Sequence, residues 1–340
     1  MGTKIWMIVF PIAGQSIGTA RWVEDSGLDG WAVADTQNLA GDPYSALSLA
    51  AHATSRIGLG TGITNATTRH PAVTASAITT VQVESGGRAV LGIGRGDSSL
   101  AYIGQKAASL SQFKAYLQQV QGFLGGENVS LDGYSSQMAW VTRTSLPKVP
   151  VDVAATGPRV IALGAQLADW VTFSVGAQPD RLRWAIETAQ QARLNADLDP
   201  AGISLGAYVN VVVHPDRDKA RDLGRGWVSS FARFSGMEKG SALESLAPEG
   251  RSVIEQVSEQ YNMSYHGHQE GEHTSALTND FIDSFAIAGP PSYCIERLQE
   301  LINLKLERLV IVGPGRGADR IEIKESMQRF TREVLPFLKR

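Results

Sequence analysis

The sequence predicts an α/β chain folded as a (β/α)8 TIM barrel with insertions. Eight short, nearly continuous apolar runs recur along the chain, separated by amphipathic stretches, which is the pattern of strands buried on both faces of a parallel sheet. The turn after the first run, Pro11-Ile12-Ala13-Gly14-Gln15-Ser16, lacks the G-x-G-x-x-G spacing that an open dinucleotide-binding sheet would want. The 340 residues give 42.5 per unit over eight units, more than the roughly 250 residues of a plain barrel require. The surplus is expected in insertions.

Element by element, the apolar runs place strands at Ile5–Phe10, Gly30–Ala34, Ile57–Gly60, Ala89–Ile93, Val149–Ala154, Trp170–Val175, Ile203–Val213 and Arg308–Val312. Helical patterning falls between them, at Tyr44–Thr54, Ala72–Ser85, Leu110–Leu124, Pro158–Leu167, Pro179–Asn195, Asp216–Phe234 and Ile321–Leu338. Gly125–Lys148, rich in Gly, Ser and turns, reads as one insertion. Ser235–Ser284 reads as the other, with extra helical patterning over Arg251–Tyr261 and then a polar loop from His266 to His273. No linker or shift of composition divides the chain, so residues 1–340 are expected to form a single domain.

The composition, 43% apolar and 19% charged, is that of a globular enzyme. A net charge of −3 argues against a nucleic-acid binder, and no apolar run approaches the roughly 18 residues of a membrane span. A single cysteine, Cys294, excludes an internal disulfide framework and thiolate-based metal sites. Lys4 followed by an apolar run could be a short secretory signal. Pro11 interrupts it and no clean cleavage site follows, so a buried first strand is the better reading. The three Asn-x-Ser/Thr sequons at Asn65, Asn128 and Asn262 then carry no weight, and the chain reads as cytoplasmic.

In such a barrel, function belongs at the strand ends and the loops that follow. Those ends are rich in Gly and short polar residues: Ala34-Asp35-Thr36-Gln37-Asn38, Gly60-Thr61-Gly62-Ile63-Thr64-Asn65, Gly92-Ile93-Gly94-Arg95-Gly96-Asp97-Ser98, Ala155-Thr156-Gly157-Pro158-Arg159 and Ser174-Val175-Gly176-Ala177. Glycine within a strand costs stability, so its repeated use points to close approach by a ligand or another backbone. Pro158 suits the first turn of a helix, whose free amides, with Arg159 and the Thr156 hydroxyl, are candidate donors to an anion. A simple βα turn explains the same letters.

The strand-three and strand-four segments, together with Thr68-Arg69-His70-Pro71-Ala72-Val73-Thr74-Ala75 and Ser85-Gly86-Gly87-Arg88-Ala89, resemble the bacterial-luciferase-like superfamily. Within it the similarity is to the branch of methylenetetrahydromethanopterin reductase and related deazaflavin-dependent oxidoreductases. Ala168-Asp169-Trp170-Val171 and Phe285-Ala286-Ile287-Ala288-Gly289-Pro290-Pro291 extend the resemblance, which spans about residues 20–312. It implies a luciferase-like barrel that binds FMN or coenzyme F-420 at its C-terminal mouth. Gly62-Ile63 matches the bulge where this branch places a non-prolyl cis peptide behind the cofactor ring, with Thr61 and Asn65 in the same cofactor set. Thr156, Gly157, Pro158, Arg159, Gly176 and Ala177 match the segments that hold the phosphate. Asp35 and Asp97 match acids near the reactive edge of the ring. Several deazaflavin enzymes have His after the strand-two Asp, and this chain has Thr36, so that acid–base assignment does not carry over.

Other residues compete with simpler explanations. The cluster His266, His268, Glu272 and His273 lacks a zinc-motif spacing and reads as a polar mouth loop, with His273 kept as a candidate substrate contact. Cys294 reads as a packed thiol, His70 as a helix cap or a catalytic group on equal terms, and Trp6 as core or mouth lining. The expected activity is hydride transfer between a bound deazaflavin, coenzyme F-420, and a small organic substrate. An FMN-dependent monooxygenase on the same barrel is the alternative, and a non-catalytic flavin-binding protein a third. A homodimer is expected from the resemblance, with the small residues of Ala72–Ser85 suited to close helix packing. No nucleic-acid or membrane partner is expected.

Overall fold

Strand pairing is parallel around a closed ring. In the computed structural model, which describes residues 2–236 and 248–339, the barrel strands are β1 (Lys4–Val9), β2 (Gly30–Val33), β3 (Gly58–Thr61), β4 (Ala89–Gly94), β5 (Val151–Ala155), β6 (Trp170–Phe173), β7 (Ser204–Val213) and β8 (Arg308–Val312). Each pairs with the next, and β8 returns to β1 through Lys4 beside Arg308 and Met7 beside Ile311. All eight lie within two residues of the runs read from the sequence.

The helices are α1 (Ser16–Asp25), α2 (Pro43–Ala53), α3 (Pro71–Glu84), α4 (Ser98–Tyr102), α5 (Leu110–Leu124), α6 (Pro158–Leu167), α7 (Pro179–Leu194), α8 (Arg217–Gly236), α9 (Pro248–Gln260), α10 (Asn279–Phe285), α11 (Pro291–Ile302) and α12 (Arg320–Arg329). Proline opens α2, α3, α6, α7 and α11, where its missing N–H costs no helical bond. Helix α1 gave no sequence signal. Its buried face is only Ser16, Ala20 and Val23, and no side chain caps it. The long helix expected over Ile321–Leu338 is interrupted after Arg329 by a π turn, Phe330–Val334. Pro336 lies in the short helix beyond, where it lacks an N–H to continue the ladder. Among the described residues no helix is long and apolar enough to cross a membrane.

Alternate strand residues fill the barrel interior. Trp6 on β1 is 7% exposed, and its indole lies where side chains at Gly30 and Gly58 would stand, 2.2 and 2.3 Å from their absent Cβ atoms. These two strand glycines therefore make room for Trp6. Nearer the N-terminal end, the buried Arg308 bonds Asp152 and the Thr172 hydroxyl at 3.1 and 2.7 Å and stacks 4.2 Å over Trp170. A buried charge needs such compensation to be tolerated.

The first expected insertion holds a β-hairpin, Val129–Leu131 with Tyr134–Ser136, closed by Asp132 and Gly133 at positive φ. In the second, residues 237–247 lie outside the described residues. Beyond them come α9, two short 3-10 turns at Met263–Tyr265 and Glu272–Ala276, and α10.

Candidate active site

Asp35 follows β2 directly and is 2% exposed. Its Oδ2 accepts from the Thr64 hydroxyl at 2.6 Å and from Arg69 Nη1 at 2.5 Å. Its Oδ1 accepts from Gln37 Nε2 at 2.6 Å and Arg69 Nη2 at 3.3 Å. Arg69 also reaches Asp42, at 3.1 Å, and lies 4.9 Å over the Tyr44 ring. The carboxylate expected beside the reactive ring is thus committed to an ion pair that ties the β2 loop to the segment after β3. Burial, the largest influence on the Tyr44 phenol, pushes its pKa up.

The β3 bulge is tightly fitted. The Gly62–Ile63 peptide is cis, and a Cβ at Gly62 would meet Ala32 at 2.8 Å. The Thr61 hydroxyl donates to Gly92 O at 2.7 Å, across to β4. Thr61 therefore fastens two strands with its hydroxyl proton, which is not available to a ligand. Asn65, 1% exposed, accepts from the Thr67 and Thr68 amides at 3.0 and 2.9 Å, while its Nδ2 has no acceptor among the described residues. Thr68 Oγ1, Ser98 Oγ and Gln37 Oε1 are likewise buried without a partner. These four atoms sit on the loops after β2 and β3 and, for Ser98, at the start of α4 after β4.

Helix α6 starts at Pro158 with Gly157 as its N-cap and no capping side chain. The amides of Val160 and Ile161 both donate to Gly157 O, at 3.1 and 2.9 Å. That leaves the Arg159 N–H without a backbone carbonyl among the described residues. Thr156 is half-buried beside it and Arg159 is exposed. Gly176 and Ala177 depart from the expectation. Gly176, at φ +90°, sits against the Phe285 ring, 2.8 Å from where a Cβ would stand. The Ala177 N–H donates to Phe285 O at 2.8 Å, and Ala177 O accepts from Arg297 at 3.2 Å. Ala177 has no amide to offer a phosphate.

Asp97, after β4, is bound through both oxygens by Arg233 of α8. The Arg233 guanidinium lies 4.8 Å over Tyr261, whose ring is 4.2 Å from that of His273. The Tyr261 hydroxyl shares hydrogen bonds with His266 Nδ1 at 2.6 Å and Ser230 Oγ at 2.7 Å. Trp227 of α8 packs edge-on to His266 and stacks on Phe10 at 5.5 Å. The segment expected as a polar mouth loop is instead packed. His266 is 6% exposed and His273 is fully buried, so His273 does not reach a substrate here. Burial, then the Arg233 and Arg316 charges, pushes His266 down to about 3. Burial and Arg233 lower His273 as well.

The remaining candidates resolve simply. His70 Nδ1 accepts from the Ala72 amide at 3.2 Å and caps α3. Cys294 is fully buried, and burial pushes its thiol up to about 12, the state of a packed cysteine. Sequence reasoning missed Arg69, Arg233 and Tyr261. Arg69 stood within a quoted motif, whereas nothing in the letters marked the other two.

The luciferase-like monooxygenase family model matches residues 13–308. The chain belongs to that family. It is an oxidoreductase, and its luciferase-like barrel agrees with the resemblance read from the sequence. It is 32% identical to the 5,10-methylenetetrahydromethanopterin reductase of Archaeoglobus fulgidus, over 94% of each chain. It is 25% identical to the F420-dependent glucose-6-phosphate dehydrogenase of Beutenbergia cavernae, over 86% of this chain and 82% of that one. The solved coenzyme F420-dependent tetrahydromethanopterin reductase of Methanopyrus kandleri has the same fold, with a TM-score of 0.76 at 23% identity over 99% of this chain and 100% of that one.

Proposed function

We propose that this chain transfers hydride between a deazaflavin, coenzyme F-420, held at the C-terminal mouth and a small organic substrate. The observation that carries this reading is the group of buried polar atoms without partners on the β2, β3 and β4 loops: Gln37 Oε1, Asn65 Nδ2, Thr68 Oγ1 and Ser98 Oγ. Leaving a buried donor or acceptor unpaired costs about 1–3 kcal/mol, so four on adjoining loops mark a place that a polar ligand completes. A heterocycle with carbonyl and N–H edges has that chemistry, and the bare start of α6 suits its anionic side chain. The donor set fits the cofactor, and the F420-dependent relative at 25% identity supports the choice.

When bound, the deazaflavin supplies the carbon that accepts or gives the hydride. The chain supplies position and shielding. Asn65 Nδ2 would hold the ring, and the Arg159 N–H and Thr156 hydroxyl would hold the phosphate. Asp35, through Arg69 and Thr64, fixes the loops that carry these donors. The Phe10–Trp227 stack keeps water from one side of the mouth.

Fluorescence titration with F-420 and with FMN tests the reading, followed by anaerobic turnover on carbonyl and imine compounds. Tighter binding of F-420 and oxygen-independent turnover are expected. Preference for FMN with oxygen uptake would replace this reading by the monooxygenase.

A further inference from the structure

We propose that Asn210 is a substrate-recognition residue on the wall of the barrel opposite the cofactor loops. It selects a neutral, largely apolar substrate through an amide-type edge, a carbonyl beside an N–H. This deepens the hydride-transfer reading and rests on its placement of the cofactor.

Asn210 lies on β7 and is 3% exposed, yet neither Oδ1 nor Nδ2 has a hydrogen-bond partner among the described residues. The strand register says where the side chain points. Trp6 of β1, whose indole fills the barrel interior, pairs with Val310 of β8, and Val310 pairs with Tyr208 of β7. Residues paired across a parallel ladder share a face, as do residues two apart on one strand. Asn210, paired with Val312, therefore faces the interior one step beyond Tyr208, towards the C-terminal mouth. Leaving both atoms of one buried amide unpaired is costly, so they mark a place that a ligand with one donor and one acceptor completes.

In the ring of eight strands β7 stands four from β3, on the opposite wall. The unpartnered atoms that carry the cofactor reading lie after β2 and β3 and at the start of α4. Asn210 is outside that set, and a cofactor held there leaves the β7 wall to the substrate.

The surroundings set the substrate's class. Val312 lies beside Asn210, and Ile8 is two residues beyond Trp6 on β1. Beneath, Tyr208 is 6.4 Å from the Phe231 ring of α8, which is 5.5 Å from Phe234. These side chains belong to one apolar cluster. Charges on either side are consumed in pairs, Arg308 with Asp152 below Tyr208 and Arg233 with Asp97 on α8. Such a wall suits an uncharged body. An asparagine presents its carbonyl and its NH2 side by side, and a carboxamide or lactam answers both at once. The edge is a handle for orientation, since an amide carbonyl is a poor hydride acceptor, and the reacting carbon lies elsewhere in the substrate.

The test is calorimetric titration of the whole protein, without cofactor and with F-420 present, using benzamide, acetophenone and ethylbenzene as probes. Benzamide keeps both members of the edge, acetophenone lacks the N–H, and ethylbenzene lacks both. Benzamide is expected to bind at least about tenfold tighter than the other two. Asn210→Leu, which removes both polar atoms at similar volume, should abolish that preference, keep F-420 affinity and melt no lower than the wild type. Asn210→Ala, which cannot overpack the site, should lose the same preference. A wild type without the preference, or a preference that survives in the folded variants, would overturn the proposal. Weaker F-420 binding in the variants would overturn it too, by assigning Asn210 to the cofactor. If the wild type shows the preference but binds no F-420, the amide site stands while the cofactor reading fails.

Discussion

Arg233 of α8 grips both carboxylate oxygens of Asp97, fixing the loop after β4 to the helix after β7 across the mouth of the barrel, with Nη2 3.1 Å from Oδ1. The pair spans 136 positions of sequence, and both side chains are mostly buried, at 17% and 20% exposed. Through Tyr261, over which its guanidinium lies, Arg233 also borders the packed His266–His273 segment, which Arg316 and Ser230 bond directly.

Breaking this pair should loosen that segment. Arg233→Ala and Asp97→Ala are each expected to destabilise by about 1–3 kcal/mol, since each leaves its partner partly desolvated. A double-mutant cycle in urea unfolding should return a coupling of about 1–2 kcal/mol. A coupling near zero would show that the two residues act independently.

Acid stability should depend on His266. Its folded pKa, about 3, lies below the ordinary 6.5, so the unfolded chain binds the proton more readily. The associated stability is present above pH 6.5 and is lost as pH falls towards 3, by up to about 1.4 kcal/mol per pH unit. Urea denaturation across that range should show the slope, and His266→Gln should flatten it. A parallel curve for the variant would place the acid sensitivity elsewhere.

Trp6 should be the costliest single residue of the barrel interior. Trp6→Ala is expected to lose about 3–5 kcal/mol by leaving a cavity facing Gly30 and Gly58. Gly58→Ala alone overpacks the indole, at about 1–3 kcal/mol. Trp6→Leu combined with Gly58→Ala should be more stable than the sum of the single changes implies, which thermal unfolding can check.

Cofactor binding should fail when the start of α6 is made anionic. Gly157→Asp places a carboxylate at the N-cap of an otherwise uncapped helix, which suits folding and opposes an anion. Retained melting temperature with at least about tenfold weaker F-420 binding is expected. Unchanged affinity would move the phosphate elsewhere.

Asn65→Asp should separate the two ends of that side chain. The carboxylate keeps the acceptor for the Thr67 and Thr68 amides but removes the Nδ2 donor. The turn should persist while F-420 affinity falls about tenfold. Equal affinity would show that Nδ2 meets no ligand.

The strand ladder was legible because a strand covered on both faces must be apolar at nearly every position, and runs of four to six such residues between amphipathic stretches are too short for buried helices. Helix α1 was not legible because Ser16, Ala20 and Val23 bury too little to make an apolar stripe. What Gly30 and Gly58 leave room for is not written beside them in the chain. The answer, Trp6, lies on the neighbouring strand or one beyond it.

At the site, the sequence by itself determined the strand-end segments and the proline start of α6, because each is written in contiguous residues, while the Gly62–Ile63 bulge was implied by the family resemblance. The tertiary structure alone decided that Asp35 belongs to Arg69, that Ala177 spends its amide on Phe285, that His273 lies buried under Tyr261, and that Asn210 is buried with both amide atoms unpaired among the described residues. The physical reason is that pairing depends on which loops the closed barrel brings to the same end. A polar atom left unpaired is visible only after every neighbour has taken its partner.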